Sequence, residues 1–401
     1  MIKRVTVCVV IVFVLLVLAP RAGAATSKPA TTRAGAPRRT ATTQASAASL
    51  DALLEPIRAK HNLPGLVGAV IEGDEVIAVG AAGVRKLGAP QPITIDDKLH
   101  LGSCTKAMTA TVLARLVERK QLAWNSTLAS IFPDLTPKFD AAFRDVTLEQ
   151  LLQHRAGLPA NADWNALGSG TTTEQRVRLI KTVLAKAPET TPGTKYDYSN
   201  VGYAIAAAMG ERVTKRPWEQ LIRTELFEPL GMTSVGFGPP GAKGKVDQPW
   251  GHLSPVAVAT PTQADNPPPL GPAGRVHCSI RDWAKFVSLH LRGARGEETA
   301  YLTKETFERL HTPPAGEDYA FGWISTKRPW AGGTVFTHAG SNTMWYCVVW
   351  AAPKKNFAVL AVTNIGGPEA AGACDDASAA MIAQHARPRP GAKVPATRPA
   401  Q

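Results

Sequence analysis

The 401-residue chain is poor in the residues that metal and redox chemistry need. Its five cysteines stand at 8, 104, 278, 347 and 374, so no C-x-x-C pair exists. None of the nine histidines forms H-x-x-H or H-E-x-x-H. Those absences exclude the common zinc and dithiol motifs, and neither a metal nor a cofactor is expected. Long apolar runs are equally scarce. Only Val5 to about Ala19 qualifies, and it falls short of the roughly 20 residues that span a bilayer. Preceded by Lys3-Arg4 and followed by Ala22-Gly23-Ala24, it predicts a cleaved secretory signal over residues 1–24 and export to the periplasm or beyond. No second segment could cross a membrane.

Acidic residues are missing from both ends. Residues 1–48 carry seven Lys or Arg and residues 385–401 carry four, with no Asp or Glu in either. The net charge of +13 therefore leaves only +2 for residues 49–384, which argues against a nucleic-acid groove in the globular part. Residues 25–48 are rich in Ala, Thr, Pro and Arg without apolar periodicity, as a flexible linker is. Residues 385–401 have the same character and are expected to form a disordered basic tail. Once the signal is removed, four cysteines remain, which allows three full pairings. A domain this long folds without staples, so buried free thiols fit as well. Nothing in the sequence specifies an oligomer.

Residues 49–384 read as one domain. A helix near Leu50–Lys60 precedes "LVGAVIEGDEVIAVGAAG", two apolar strands turning at Gly73-Asp74. From Ser103 to about Glu118 the apolar residues fall on nearly all sides, so the helix there is buried. Helical segments and Pro/Gly loops fill about 120–270. After the helix "SIRDWAKFVSLHL", strands return in "YAFGWIS", "GTVFTH", "MWYCVVWAA" and "NFAVLAVTN", and a helix near Ala370–Gln384 closes the domain. Strands at both ends with helices between predict an α+β fold. Its antiparallel sheet would come from about 49–119 and 271–384, flanked by helices, with a helical insertion subdomain over 120–270. The junction of the two parts is the expected place for a site.

Three short stretches carry chemistry. In "LGSCTK", Ser103 and Lys106 share a helix face, and burial lowers a lysine's pKa enough to make it a base for serine. Cys104 is the better intrinsic nucleophile but points about 100° around the helix, where a thiol packs as a small filler. In "YDYSNVGY", Tyr198 and Asn200 are two apart in a loop feeding a helix, so phenol and amide can face one pocket; Asn200 could also cap the helix. In "FTHAGSN", His338 and the Ser341 backbone line a strand edge. Each stretch alone has an ordinary structural explanation.

Ser-x-x-Lys, then Tyr-Ser-Asn about 95 residues on, then His-x-Gly about 140 further, resembles the serine β-lactamase and penicillin-binding D,D-peptidase superfamily. The Tyr-Ser-Asn form is similar to the branch of class C β-lactamases, small D,D-peptidases and related esterases. "LLQHRAGLP" and "GPAGRVHCSIRDWAKF" look like that branch over roughly residues 50–384. The resemblance implies that Ser103 is acylated, Lys106 is its base partner and Tyr198 shuttles the proton. It implies that Asn200 binds the substrate amide and that His338, with Gly340, takes the cation position of the third motif beside Tyr198 and a substrate carboxylate. The backbone N–H groups of Ser103 and Ser341 would form the oxyanion hole.

Three departures bear on the substrate. His338 replaces a lysine, Arg155 and Ala156 stand where Thr-Ser is usual, and no E-x-x-L-N segment occurs. The implied activity is a D-alanyl-D-alanine carboxypeptidase or related D-amino-acid peptidase acting on a small molecule or peptidoglycan peptide. A carboxylesterase or β-lactamase of the same fold is the alternative. A non-catalytic penicillin- or wall-peptide-binding module is the alternative from another class.

Overall fold

A computed structural model describes residues 47–253, 256–257 and 265–386. The expected signal segment, residues 25–46 of the expected linker and residues 387–401 lie outside the described residues. Ala48, inside the stretch read as linker, instead joins Ser49 in a short strand, β1 (Ala48–Ser49), parallel to β3.

The first helix, α1 (Asp51–Lys60), leads into the hairpin β2 (Gly65–Glu72) and β3 (Glu75–Gly83). Gly73 turns the hairpin with φ +66°, a left-handed value that favours glycine. Four strands complete the sheet from the far end of the chain. A separate three-stranded sheet is formed by the short strands β4 (Leu99–His100), β5 (Gly236–Phe237) and β6 (Val276–Cys278). The four returning strands are then β7 (Ile324–Arg328), β8 (Gly333–Ser341), β9 (Tyr346–Ala352) and β10 (Phe357–Thr363). The order across the sheet is β1-β3-β2-β10-β9-β8-β7, so the first hairpin is joined to the last strands by β2 and β10. Every pairing except β1 with β3 is antiparallel.

The central strands are covered on both faces, which is why their sequences run apolar instead of alternating. Leu66 and Val70 of β2 pack with Leu54 and Met381 on one side, and Val67, Ala69 and Ile71 pack with Trp283 and Phe286 on the other. Gly68 leaves room there, since a Cβ would lie 3.2 Å from Met381 Sδ. A separate apolar cluster fills the helical part and includes Leu113, Leu151, Ile180 and Ile205.

The buried helix expected from Ser103 begins instead with a 3-10 turn, Gly102–Cys104, and continues as α2 (Thr105–Glu118). In 3-10 geometry residues i and i+3 eclipse, so the tighter start keeps Ser103 over Lys106. The strand expected at "YAFGWIS" starts only at Ile324. Gly322, at φ +80°, turns the chain so tightly against α2 that a Cβ would sit 2.4 Å from Ala107 N. The closing helix runs Pro368–His385, slightly longer than expected. Cys104, Cys278, Cys347 and Cys374 are all buried free thiols. Among the described residues no helix is long and apolar enough to cross a membrane.

Helix α3 (Thr172–Val183) ties the helical part to the segment before β6. Its Arg176 is fully buried, 2.5 Å from both Glu211 and Glu219, and its Nε donates to the Pro269 carbonyl at 3.2 Å. Removing one partner of such a pair strands a buried charge, which costs about 3–5 kcal/mol. Arg176→Leu is expected to lower unfolding free energy by about that amount in urea titration. A loss below about 1 kcal/mol would mean the carboxylates find other partners.

Candidate active site

Ser103, Lys106, Tyr198 and Asn200 come from two distant segments and meet at one point. Ser103 sits on the 3-10 turn at the head of α2, partly open to solvent. Lys106, three residues on, is fully buried. Its Nζ lies 3.1 Å from Ser103 Oγ, 2.7 Å from Asn200 Oδ1 and 2.8 Å from the Ala273 carbonyl. The rings of Tyr198 and Tyr203 shield it at 4.7 and 5.6 Å. Burial pushes Lys106 well below the ordinary lysine range. A neutral amine has two protons and one lone pair. The two carbonyl oxygens can take the protons, which leaves the lone pair facing Ser103 Oγ.

On the other side of Ser103, Tyr198 Oη donates to Ser103 Oγ at 2.8 Å. Burial raises the Tyr198 phenol well above its usual value, against the pull of that hydrogen bond, so it stays protonated. Tyr198, Ser103 and Lys106 thus form a continuous line for proton movement, with the hydroxyl in the middle.

Helix α4 (Asn200–Thr214) brings the second segment into place. Its N-cap is Ser199, whose side chain accepts from Gly202 N, and not Asn200. Asn200 is the first helical residue, and so its amide is free to face Lys106 while its Nδ2 donates to Asn161 Oδ1 at 3.0 Å. His154 fixes the same turn from below. Its Nδ1 accepts from Ser199 N–H at 3.0 Å, and its ring lies 4.4 Å from that of Tyr198. Burial, with Lys106 and His338 nearby, pushes His154 well below the usual histidine range, so the ring is neutral and suited to accept.

Arg155, at the departure from the usual Thr-Ser, binds Glu317 and the Gly193 carbonyl. It staples the loop carrying Tyr198 to the loop carrying Tyr319. Sequence reading assigned nothing to Tyr319, Asn161 or the Ala273 carbonyl. Tyr319 lies in a stretch whose pattern predicts strand, and a backbone oxygen leaves no mark in a sequence.

The third stretch lies on β8. Gly340 and Ser341 pack on the turn that holds Ser103: a Cβ on Gly340 would lie 2.0 Å from the Leu101 carbonyl oxygen, and one on Gly102 would lie 2.3 Å from Ser341 N. Gly102 has φ +46°. Only glycine at both positions lets the Ser103 turn and the end of β8 lie flush. His338 is buried, and its Nε2 is 3.2 Å from Tyr319 Oη, so Tyr319 stands between it and Tyr198.

Cys104 faces away from Ser103 toward the sheet. Its Sγ donates to the His338 carbonyl at 3.4 Å and lies 3.5 Å from Cys347 Sγ. Burial pushes both thiols up. On Cys104 the Cys347 hydrogen bond, with His338 close by, outweighs burial and draws the thiol below its usual range, whereas Cys347 stays well raised. The Cys104 thiol is buried. Among the described residues no group of three or more His, Cys, Asp or Glu could hold a metal ion.

The Beta-lactamase family model matches residues 50–384. The chain is 25% identical over 325 residues to Penicillin-binding protein 4 of Amycolatopsis lactamdurans, covering 78% of this chain and 84% of that protein. It is 27% identical over 329 residues to an unguisins hydrolase of Aspergillus campestris, covering 76% of this chain but 59% of the fungal protein. A D-stereospecific amidohydrolase from a Streptomyces species shares the fold with a TM-score of 0.64 and 21% identity, over 81% of this chain and 96% of that one.

The seclusion of Cys104 is directly measurable. In the native protein iodoacetamide is expected to leave Cys104 unmodified by mass spectrometry, and to modify it after denaturation. Rapid native alkylation would show an open route to the thiol.

Proposed function

The chain belongs to the beta-lactamase family, and on that premise we propose that this hydrolase cleaves amide bonds of D-amino-acid peptides through an acyl-enzyme on Ser103. The observation that carries the reading is the dry amine of Lys106, 3.1 Å from Ser103 Oγ with both carbonyl acceptors already in place. Ser103 Oγ attacks the substrate carbonyl carbon as its proton passes to Lys106 Nζ. The oxyanion is held by the N–H groups of Ser103 and Ser341. The C–N bond then breaks as Tyr198 Oη protonates the leaving amine, and the tyrosinate recovers a proton from the ammonium of Lys106, which lies 4.7 Å from the Tyr198 ring centre, without passing through the esterified Ser103 oxygen. A water attacks the ester by the reverse route: its proton goes to the Tyr198–Lys106 pair, the acid leaves and Ser103 regains its hydrogen. Asn200 steadies Lys106 and offers its remaining N–H to the substrate amide.

Two relatives support the D-peptide direction: a penicillin-binding protein and, by fold alone, a D-stereospecific amidohydrolase. Among such substrates the site favours those with little dependence on a free carboxylate. His338, the group expected to anchor one, has its Nε2 engaged by Tyr319. That engagement also supports a second reading, cleavage of neutral esters. The proposal also sets this activity outside the cytoplasm, a reading supported by the basic start, the apolar run and Ala22-Gly23-Ala24 of the sequence.

The test is a panel of a D-Ala-D-Ala peptide, a D-phenylalanine amide and its L-enantiomer, a p-nitrophenyl ester and a fluorescent penicillin. Turnover of D over L amides, absent in Ser103→Ala and kept in Cys104→Ala, is the expected result. L-preference, or activity surviving in Ser103→Ala, would sink the proposal.

The state of Lys106 sets the pH profile. Burial lowers its folded pKa, so the amine is neutral over a wider range of pH than an exposed lysine and gains a proton only as pH falls through that lowered value. Activity is therefore expected to drop on the acid side and to hold a plateau well below pH 10. Lys106→Arg, charged at every working pH, is expected to lose about 10²–10⁴-fold in kcat.

A further inference from the structure

A cluster behind the oxyanion pocket is not used by the chemistry above. We propose that Asp265 is a positioning residue that aligns both backbone amides of that pocket at once, through His100 on one side and Asn342 on the other. The inference rests on the reading that Ser103 is acylated.

The Asp265 side chain is buried, only 4% exposed. One of its oxygens, Oδ1, accepts from Asn342 Nδ2 at 3.1 Å and from Asn266 N–H at 2.7 Å. The same oxygen is 2.8 Å from His100 Nε2. Its other oxygen accepts from Arg275 Nε at 2.9 Å. Burial alone would raise this carboxyl, but His100 and then Arg275 hold it at about 2, so it is a fixed negative charge.

Each partner leads to one half of the pocket. His100 is fully buried, and its Nδ1 accepts the N–H of Gly102 at 3.1 Å. That bond requires Nδ1 without a proton in the neutral ring, which leaves Nε2–H facing Asp265. It also fixes the left-handed Gly102, whose rotation sets the direction of the Ser103 N–H. Asn342, 4% exposed, follows Ser341 directly, and its Oδ1 accepts from Met344 N at 3.3 Å. Asp265 thus holds the residue before one amide and the residue after the other. The two strips of backbone already touch at Gly102 and Ser341, so a shift of either changes the gap that must fit the oxyanion. Donors of this kind work only when aimed at the place where charge develops in the transition state.

A positioning role predicts a loss that appears in the transition state and not in ground-state binding. The full chain and Asp265→Ala, Asp265→Asn and Asn342→Ala are compared for kcat and KM on the best substrate of the panel. They are also compared for affinity toward phenylboronic acid, which forms a tetrahedral adduct on serine, and for melting temperature. Asp265→Ala is expected to lower kcat about 10–100-fold, a part of the 10²–10³-fold that loss of one oxyanion donor costs. Boronate affinity should fall in step while KM stays within about twofold. Asn342→Ala should show the same split with a smaller loss.

Should Asp265→Ala fail to fold, Asp265→Asn and Asn342→Ala carry the test unchanged. Folded variants with kcat and boronate affinity within about twofold of the parent overturn the proposal, as does a loss confined to KM. Failure of the parent itself to be acylated at Ser103 would instead overturn the functional reading, and the parent measurement separates the two cases.

Discussion

The amine of Lys106 is the point on which the site depends. It touches Ser103, the first turn of α4 and the backbone just before β6 together. A lysine with no exposure is costly to keep charged, and its neighbours offer carbonyl oxygens and aromatic rings without a carboxylate. The fold resolves that cost by lowering the proton affinity of the amine. The same lowering is what lets the amine accept a proton from a serine. Stability and chemistry therefore draw on one burial.

The surroundings keep that burial in place from several sides. Arg176, with Glu211 and Glu219, binds the Pro269 carbonyl and so anchors the segment that presents Ala273 to Lys106. His154 braces Ser199 between Tyr198 and Asn200. Arg155 links the loops of Tyr198 and Tyr319. These side chains do not touch Ser103, yet each fixes a group that does, or its neighbour. The helical part and the sheet part thus meet in a junction whose geometry is set by buried polar contacts, while the two large apolar clusters lie to either side. Polar contacts suit that task because they are directional, whereas apolar packing tolerates small slides.

Much of the fold was legible because its strands and buried helix have strong patterns. The returning strands, the hairpin at Gly73-Asp74 and the all-round apolar α2 announced themselves through composition and period. The errors fell where a local pattern was overruled by contact. "YAFGWIS" reads as strand throughout, but Gly322 must bend to clear Ala107, and that bend places Tyr319 against His338. Asn200 is a good cap by type, yet Ser199 takes the role, and Asn200 is released toward Lys106.

The sequence by itself determined the candidate residues: a serine and lysine at helical spacing, a tyrosine and asparagine before a helix, and a histidine on a late strand. It also determined the family, because motif order and flanking segments are linear properties of a chain. Only the tertiary structure decided how those residues are used. That Lys106 is dry, that Tyr319 occupies His338, that Cys104 is buried behind Ser103 and that Asp265 sits between His100 and Asn342 all follow from contacts between residues far apart in the chain. Proton affinity and donor alignment depend on distance and solvent exclusion, and neither quantity exists until the chain has closed around the site.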